Sequence, residues 1–381
     1  MNERLVPLKV RSGQGDYKVS FRDSVAEVVT DLLDLSDAVF VVDRRVAELH
    51  AEALAPILGG HRVFPFDATE EAKTLEGAGR LLGFFQESGC IRKSLVVAIG
   101  GGVTQDVSSF AAHVYYRGLR WVFVPTTLLA MADSCIGAKC TLNFRGHKNQ
   151  LGVFHSPATV ILSMSFLETL PDEDMLSGWG EILKLALTGG PRFLDDVESS
   201  IREEGVRPRS LDLLVRESLR VKTSVIEVDE YEADLRRILN YGHTFGHALE
   251  AATHHAVPHG QAVAWGLDLA NFIAVRRGIL PEEHFGRVHA FVRQHFAAAF
   301  AATPEPEALL AAARRDKKVA AGVLHMALLE RPGLVTMRPI PFDTSLEADI
   351  NAFLQLDRPA VRPGSQRSGG STPPSSSGGR S

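Results

Sequence analysis

Short runs of apolar, often β-branched residues recur along the first half of the chain, and amphipathic segments separate them. The first clear run, 38–42, is followed by a segment, 45–58, in which apolar residues return at helical spacing. Short continuous apolar runs are typical of strands that are covered on both faces, so this alternation predicts strand–helix units around a parallel sheet. Further runs of the same kind are 94–99, 121–124 and 159–162.

The pattern becomes helical at about residue 172 and stays helical to about residue 356, most clearly over 211–228, 262–277 and 285–302. We therefore predict an α/β N-terminal domain over residues 1–171 and an all-α C-terminal domain over 172–357. The remaining residues, 358–381, are mostly Ser, Gly, Pro and Arg, which cannot bury a core. They are predicted to form a disordered tail.

Length and composition narrow the class of protein. A chain of 381 residues with 45% hydrophobic content is long enough for two packed domains. Its net charge of -5 is mild and neither half is strongly charged, so nothing indicates a nucleic-acid or membrane partner. The N-terminal residues lack the apolar core of a signal peptide. Cys90, Cys135 and Cys140 lack metal-site spacing and are interpreted as reduced thiols, so we expect a cytoplasmic protein.

Three glycines, Gly100–Gly102, directly follow the run 94–99 and precede a helical segment. Glycine lets the backbone approach a ligand closely, and the helix N-terminus beyond offers free amide donors to a pyrophosphate. Asp43, Thr126 and Thr127 also follow predicted strands, at the edge where open α/β sheets bind ligands. These positions predict a dinucleotide site. The alternatives are a tight strand–helix turn at the glycines and a solvated Asp43.

The stretch 132–157 is polar, with lysines and asparagines spaced through it, and Arg117 comes shortly before it. Such a loop is either a solvated connection or a wall that binds anions. With Arg117 just before the stretch, we favour the wall; any anionic substrate of this mildly acidic protein would have to be held by locally placed basic residues.

Two helical pairs carry the candidate metal chemistry. His243 and His247 lie four residues apart, and Glu181 and Lys184 lie three apart, so each pair projects from one face of a helix. With His259 downstream, three imidazoles and a carboxylate suit a borderline metal such as zinc. The alternative is that the two helical histidines are exposed or are satisfied core residues. Spacing alone makes His243 and His247 the natural ligand pair.

These motifs occur together in one order that resembles the 3-dehydroquinate synthase family of sugar-phosphate cyclases, over roughly residues 35–335. The resemblance implies an N-terminal dinucleotide-binding domain that holds NAD, a helical C-terminal domain that carries Zn2+ or Co2+, and an active site in the cleft between them. It also implies a homodimer. The matching motifs are Gly-Gly-Gly-Val at 100–103, Arg117-Gly, Val-Pro-Thr-Thr-Leu-Leu at 124–129, the loop from Asp133 to Lys139, Lys148-Asn149, Glu181 with Lys184, Lys222, and Arg236 through Asn240 to His247 with His259-Gly260.

The resemblance also implies three sets of site residues. The metal ligands are Glu181, His243 and His259, which moves His247 from the metal to the substrate side. The residues expected at the substrate are Lys184, Lys139, Asn149, Asn240, His247, Arg117, Lys222, Arg236 and Lys318. The residues expected at NAD are Asp43, Glu70, Lys73, Gly100, Gly101, Gly102, Val103, Asp106, Thr126, Thr127, Asp133, Lys139 and Lys148. Within the substrate set, Lys222 and Arg236 match residues that grip a carboxylate, and Arg117 is expected to reach the site of the partner subunit.

The implied reaction is a cyclisation in which NAD is regenerated. In the family, NAD oxidises a substrate alcohol, the metal polarises that oxygen, phosphate is eliminated, the ketone is reduced again, and an internal aldol step closes the ring. This chain retains Lys222, Arg236, Asn240 and His247, which favours 3-deoxy-D-arabino-heptulosonate 7-phosphate as substrate and 3-dehydroquinate as product.

Several positions depart from the residues that are usual in the family: Thr69, Gln105, Gln261, the stretch 134–143, and the stretch 152–157, in which His155 resembles the secondary-metabolite cyclases. Thr69 and Gln105 stand beside expected NAD contacts, and Gln261 is placed to alter the surroundings of the metal. One alternative is therefore a specialised cyclase that acts on sedoheptulose 7-phosphate or a related sugar phosphate. Others are a metal-dependent alcohol dehydrogenase, which would release NADH, and a catalytically silent binding protein.

Overall fold

The computed structural model describes residues 6–314, 319–320 and 322–356. The strands of the N-terminal half are β1 (Leu8–Val10), β2 (Tyr17–Arg22), β3 (Ala38–Asp43), β4 (Arg62–Phe66), β5 (Leu95–Gly100), β6 (Arg120–Pro125), β7 (Lys139–Phe144), β8 (His147–Phe154) and β9 (Thr159–Ser163). Seven of them form one sheet in the order β1-β2-β9-β6-β5-β3-β4, in which only β1 and β2 are antiparallel neighbours. The four predicted strands are β3, β5, β6 and β9, so the α/β prediction is confirmed.

The order of the strands reverses beside β3, because β4 pairs with one of its edges and β5 with the other. Open α/β sheets bind ligands at such a reversal, beyond the carboxyl ends of the strands. β3 ends at Asp43 and β5 ends at Gly100, so both residues lie at this edge. The inner strands are covered on both faces, and for this reason their sequences are continuous apolar runs.

Five helices accompany the sheet: α1 (Val25–Leu33), α2 (Arg44–Leu49), α3 (Ala51–Gly60), α4 (Leu75–Glu87) and α5 (Gly102–Val114). Ser24 and Thr74 begin α1 and α4, because their hydroxyls accept hydrogen bonds from backbone amides in the first turn at 3.2 Å each. The segment predicted as one helix over 45–58 is two helices, since the backbone leaves the helical region at His50 (φ -117).

The polar stretch 132–157 is more ordered than a loop. A turn of π-helix at Ala130–Ser134 leads into the antiparallel hairpin of β7 and β8. Cys140 and Leu142 are buried and alternate with polar residues, which is the period-two pattern of a half-buried strand. The spaced lysines and asparagines therefore stand on a hairpin, which holds them more rigidly than a loop would.

The C-terminal half is helical, as predicted. Its helices are α6 (Asp172–Gly189), α7 (Pro191–Glu204), α8 (Leu211–Ile226), α9 (His243–Ala252), α10 (His259–Arg276), α11 (Glu282–His295), α12 (Ala297–Ala301), α13 (Pro306–Arg314) and α14 (Thr344–Gln355). The buried helix α10 packs against α6, α9, α11 and α14. None of the helices in the described ranges has the length and apolar composition that crossing a bilayer requires.

α6 and α10 cross in backbone contact at two glycines. A Cβ atom on Gly180 would lie 1.8 Å from the carbonyl oxygen of Gly260, and one on Gly260 would lie 1.7 Å from that of Ser177. The Gly260 amide also donates to the Ser177 hydroxyl at 3.0 Å. Only residues without a side chain fit at this crossing. Because Glu181 follows Gly180 and His259 precedes Gly260, the crossing brings these two side chains together.

One segment of the C-terminal half contradicts the all-α prediction. The strands β10 (Val319–Ala320), β11 (Val323–Arg331) and β12 (Leu334–Pro341) form an antiparallel sheet. In β11 the residues 326–329 are all buried, so this run lacks the alternation that distinguishes a strand from a buried helix. The predicted tail, 358–381, and Lys318 lie outside the described residues.

The three cysteines are buried and unpaired with one another. Burial raises the pKa of all three thiols, that of Cys135 to about 12. Since the thiolate is the reactive form, we expect the native protein to react with a disulfide reagent at least ~10²-fold more slowly than the denatured protein. A thiol titration with and without denaturant measures this difference. Rapid reaction of any native thiol would contradict the buried positions.

Candidate active site

Three side chains of the C-terminal half converge at the α6–α10 crossing. Glu181, on α6, is 1% exposed. His243 is the first residue of α9 and His259 the first of α10. Their Nε2 atoms lie 3.4 and 3.2 Å from the same oxygen, Oε1 of Glu181. The three residues that the resemblance gives as metal ligands thus point at one small volume.

His247 lies one helical turn beyond His243, so the prediction from spacing is also visible in the structure. The nitrogens of His243, His247 and His259 include three that lie within 4.8 Å of one another. His247 is exposed, however, whereas Glu181 lies at the buried side of the cluster. This geometry fits His247 as the outer member, at the side from which a ligand would enter.

The electrostatics of the cluster favour a cation. Burial raises the pKa of the Glu181 carboxyl, but the charge of Lys184 and the contacts with His243 and His259 outweigh burial and hold that pKa well below its usual range. Burial lowers the pKa of His243, whereas the Glu181 and Glu250 carboxylates outweigh burial and raise the pKa of His259 to about 10, so a metal ion would displace a proton from His259. An ionised carboxylate and an imidazole with a free lone pair are the forms that bind metal. The other carboxylate oxygen of Glu181, Oε2, forms an ion pair with Lys184, whose Nζ lies 2.5 Å away.

A second cluster surrounds Asp133, at the π-helical turn. The Asp133 carboxylate lies 2.8 Å from Lys184 Nζ and also pairs with Lys222, whose Nζ donates to the Asp133 carbonyl oxygen at 2.6 Å. Arg236 is buried nearby and donates to the Glu230 carbonyl oxygen. Since Lys184 also pairs with Glu181, an unbroken series of ion pairs joins this cationic cluster to the histidines.

Two further substrate candidates share a partner that sequence reasoning missed. Glu232 pairs with Lys139 through one carboxylate oxygen and accepts a hydrogen bond from Asn240 through the other. It adopts a φ of 60°, in the left-handed region that side chains disfavour. The sequence signal for Glu232 is the acidic run 227–234, which lies between Lys222 and Arg236.

The predicted cofactor residues Lys73 and Asp106 meet the predicted substrate residue Asn149. Lys73 Nζ lies 2.6 Å from the Asp106 carboxylate and donates to the Asn149 side-chain oxygen at 2.8 Å. The Thr141 amide donates to Asp106 at 3.0 Å, and the Asn143 amide group donates to the Glu70 carboxylate at 2.8 Å. Thr141 and Asn143 were not predicted, because the hairpin that carries them was interpreted as a loop.

The glycine turn fits a dinucleotide. A Cβ atom on Gly100 would lie 2.4 Å from the Thr104 hydroxyl, and one on Gly101 would lie 3.0 Å from the Thr127 side chain. Gly101 begins α5 without a side-chain cap, so the first amides of a long helix face the carboxyl edge of the sheet beside Val103. Thr126 is buried at the same edge.

Asp43 has a structural role as well as its predicted one. Its carboxylate accepts a hydrogen bond from the Arg45 amide at 2.9 Å and so begins α2. It stands at the edge where the strand order reverses, next to the glycine turn.

One predicted residue, Arg117, lies away from the glycine turn. Arg117 is exposed three residues beyond the C-terminal end of α5, and a helix of this length separates it from the glycine turn by about 20 Å. Lys318 lies outside the described residues.

The residues that differ from those usual in the family lie outside the metal cluster. Gln105 is buried and exchanges hydrogen bonds with Ser134, so it fixes α5 to the turn that carries Asp133. Gln261 donates to the Glu173 carbonyl oxygen at 3.1 Å and not to a metal ligand. His155 lies 3.3 Å from the Ser109 carbonyl oxygen and packs against His113, outside the metal cluster. Thr69 precedes the short 3-10 turn Glu70–Ala72.

Two family models match consecutive parts of the chain: 3-dehydroquinate synthase N-terminal over residues 63–177 and 3-dehydroquinate synthase C-terminal over residues 178–319. A 3-dehydroquinate synthase of Pelotomaculum thermopropionicum is 41% identical over 282 residues, which cover 71% of this chain and 73% of the relative.

Two solved structures resemble the whole fold. One is 2-deoxy-scyllo-inosose synthase complexed with carbaglucose-6-phosphate, NAD+ and Co2+, with a TM-score of 0.82 at 25% identity over 91% of this chain and 100% of that chain. The other is 2-epi-5-epi-valiolone synthase from Streptomyces hygroscopicus subsp. jinggangensis with NAD+ and Zn2+ bound, with a TM-score of 0.80 at 29% identity over 91% and 99%. With the family models, the curated relative and the converging site in agreement, the chain belongs to the 3-dehydroquinate synthase family, a family of carbon–oxygen lyases.

Proposed function

We propose that this cyclase of the 3-dehydroquinate synthase type depends on NAD and a divalent metal and converts 3-deoxy-D-arabino-heptulosonate 7-phosphate to 3-dehydroquinate with elimination of phosphate. The observation that carries the proposal is the buried cationic cluster beside the metal ligands. Lys184, Lys222 and Arg236 are each at most 8% exposed. These three buried cations face two buried carboxylates, Asp133 and Glu181, and Glu181 would also serve the metal, so the set favours an anionic ligand.

The substrate carboxylate is proposed to bind Lys222 and Arg236. A planar guanidinium pairs with both oxygens of a carboxylate, and an adjacent ammonium adds charge. Neutral sugar phosphates have no group for these two residues. The pair therefore supports the heptulosonate phosphate over sedoheptulose 7-phosphate, which is the second candidate because similar structures include specialised cyclases.

Glu181, His243 and His259 would hold the metal, and the glycine turn, with the predicted residues around it, would hold NAD. When bound, NAD supplies reversible hydride transfer at one substrate carbon, and the metal supplies Lewis acidity to the oxygen on that carbon. Lys184 is proposed to donate a hydrogen bond to a substrate hydroxyl. Burial lowers the pKa of Lys184, but the Asp133 and Glu181 carboxylates outweigh burial and raise it overall, so Lys184 acts as a donor and not as a base.

The substrate phosphate is proposed to bind Lys139, Asn149 and His247, with Lys318 from beyond the described segment. Asn240 is proposed to orient a substrate hydroxyl. Arg117 is exposed beyond the C-terminal end of α5, and we propose a homodimer in which each subunit supplies Arg117 to the phosphate site of the other, as the resemblance implies.

The proposal is tested by assaying the NAD- and zinc-loaded protein with three substrates in parallel: the heptulosonate phosphate, sedoheptulose 7-phosphate and glucose 6-phosphate. We expect inorganic phosphate and 3-dehydroquinate from the first, without accumulation of NADH. Faster turnover of sedoheptulose 7-phosphate would establish the specialised cyclase instead. Stoichiometric NADH without phosphate would establish an alcohol dehydrogenase.

Arg236→Met provides the test of the carboxylate site. Loss of a charged hydrogen-bonding partner costs about 1.5–3 kcal/mol, so kcat/KM for the heptulosonate phosphate should fall roughly 10- to 100-fold. Arg237→Met is the matched control, since Arg237 is the next residue and is exposed. Equal losses of kcat/KM in both variants, or no loss in Arg236→Met, would contradict the proposal that Arg236 binds the substrate carboxylate.

A further inference from the structure

A buried glutamate outside the predicted sets lies behind the metal cluster. Glu250 is on α9, seven residues after His243 and three after His247, so all three side chains lie on one face of the helix. Glu250 is 3% exposed. A carboxylate this deeply buried requires partners for both oxygens.

The two oxygens of Glu250 have separate partners. Oε2 lies 3.1 Å from Nδ1 of His259, and Oε1 lies 3.3 Å from Nζ of Lys148. The other ring nitrogen of His259, Nε2, faces Glu181 at 3.2 Å. The His259 ring is therefore held between two carboxylates, one at each nitrogen.

This arrangement decides which nitrogen of His259 can bind a metal. An ionised carboxylate only accepts hydrogen bonds, so without a metal both ring nitrogens carry protons, one facing each carboxylate. A metal bound by Glu181 and Nε2 would displace the proton on Nε2 alone, and Glu250 would keep the proton on Nδ1. Metal-binding histidines typically have such an outer partner, which fixes the tautomer and the ring orientation.

Lys148 belongs to the other half of the chain. It stands on β8, and its Nζ lies 4.0 Å from the Glu70 carboxylate as well as 3.3 Å from that of Glu250. Glu70 and Lys148 itself are both among the predicted NAD contacts. The ammonium group of Lys148 therefore links a residue of the expected cofactor side to the carboxylate that holds a metal ligand.

We propose that Glu250 is a positioning residue, which fixes the tautomer and orientation of His259 for metal binding, and that Lys148 holds Glu250 in place from the N-terminal half. The inference rests on the metal site of the proposed function and deepens it. Neither residue contacts the metal or substrate in this role. Their loss should weaken metal binding about 10- to 100-fold, the range found when outer partners of metal-binding histidines are removed.

The test is Zn2+ affinity of the full-length apoprotein, measured by competition with a chromophoric chelator. Glu250→Gln keeps the size of the side chain but removes its charge, and it should weaken zinc binding about 10- to 100-fold. Lys148→Met should weaken it in the same direction but by less, because Glu250 still contacts His259. Glu250→Asp should recover part of the affinity. The absorption spectrum of the Co2+-loaded protein should also change in Glu250→Gln, as a displaced ligand alters the geometry of the metal.

Asp268→Asn is the matched control. Asp268 is fully buried on α10, the helix that begins with His259, and its carboxylate lies 2.7 Å from Nδ1 of His289. This variant removes a buried carboxylate–histidine pair of the same kind away from the metal, so stability should fall while zinc affinity stays within about 2-fold of the parent. Unchanged zinc affinity in Glu250→Gln, or an equal loss in Asp268→Asn, would overturn the positioning role of Glu250 and leave the proposed metal site unaffected. A parent protein that binds no zinc would overturn the proposed metal site as well.

Discussion

Gly180→Ala is expected to lower the free energy of unfolding by about 3 kcal/mol or more and to impair metal binding in the protein that still folds. The added methyl group would lie 1.8 Å from the carbonyl oxygen of Gly260. Both groups belong to helix backbones, so neither can rotate away as a flexible side chain would. Separation of α6 from α10 would also move Glu181 away from His259.

The measurement is the thermal midpoint together with the zinc content of the purified variant. Gly83→Ala is the control, because Gly83 is inside α4 and an added methyl group there would have no neighbouring group within 4 Å. At that position alanine should stabilise the protein slightly, by up to about 1 kcal/mol, as it is the better helix former. If Gly180→Ala melted with the parent protein and kept its zinc, the helices would not be in backbone contact.

Glu181→Gln is expected to remove bound zinc and to lower kcat on the order of 10³-fold, the scale of effect when one main electrostatic group is lost from an active site. The glutamine keeps the shape of the side chain but removes the negative charge that faces both histidines. Zinc content by atomic emission and turnover of the heptulosonate phosphate, measured on the same preparation, test both expectations.

Two histidine variants complete this experiment. His259→Ala should lose zinc as Glu181→Gln does, whereas His247→Ala should retain zinc and lose activity through weaker substrate binding. Retention in His259→Ala with loss in His247→Ala would instead support the ligand pair that helical spacing alone suggests, and it would overturn the assignment of the metal to Glu181, His243 and His259.

Much of the fold was predictable from short-range patterns. The inner strands β3, β5, β6 and β9 are buried on both faces, so their apolar runs are continuous and distinct from the helices between them. The same rule failed at β11, where four consecutive buried residues also fit a buried helix. It failed again at β7, where Lys139 and Asn143 gave a strand the composition of a loop.

The site was predictable where its residues share a helix or a motif. Glu181 and Lys184, or His243 and His247, are placed together by helical spacing. Resemblance to the family made His259 a metal ligand in place of His247, since no local pattern connects His259 to the others. Glu232 and Glu250 were missed, because their partners, Lys139 and His259, lie on other elements and meet them only in the folded chain.

Asp133 stands on a turn of the N-terminal half, yet its carboxylate neutralises Lys184 and Lys222 on two helices of the C-terminal half. Chimeras that join the front of one family member to the back of another must therefore inherit this acid and both lysines as a unit. A chimera that lacked the acid would bury two ammonium groups without their carboxylate where the two halves meet. This would lower the free energy of unfolding by several kcal/mol, whichever parent supplied the hydrophobic core.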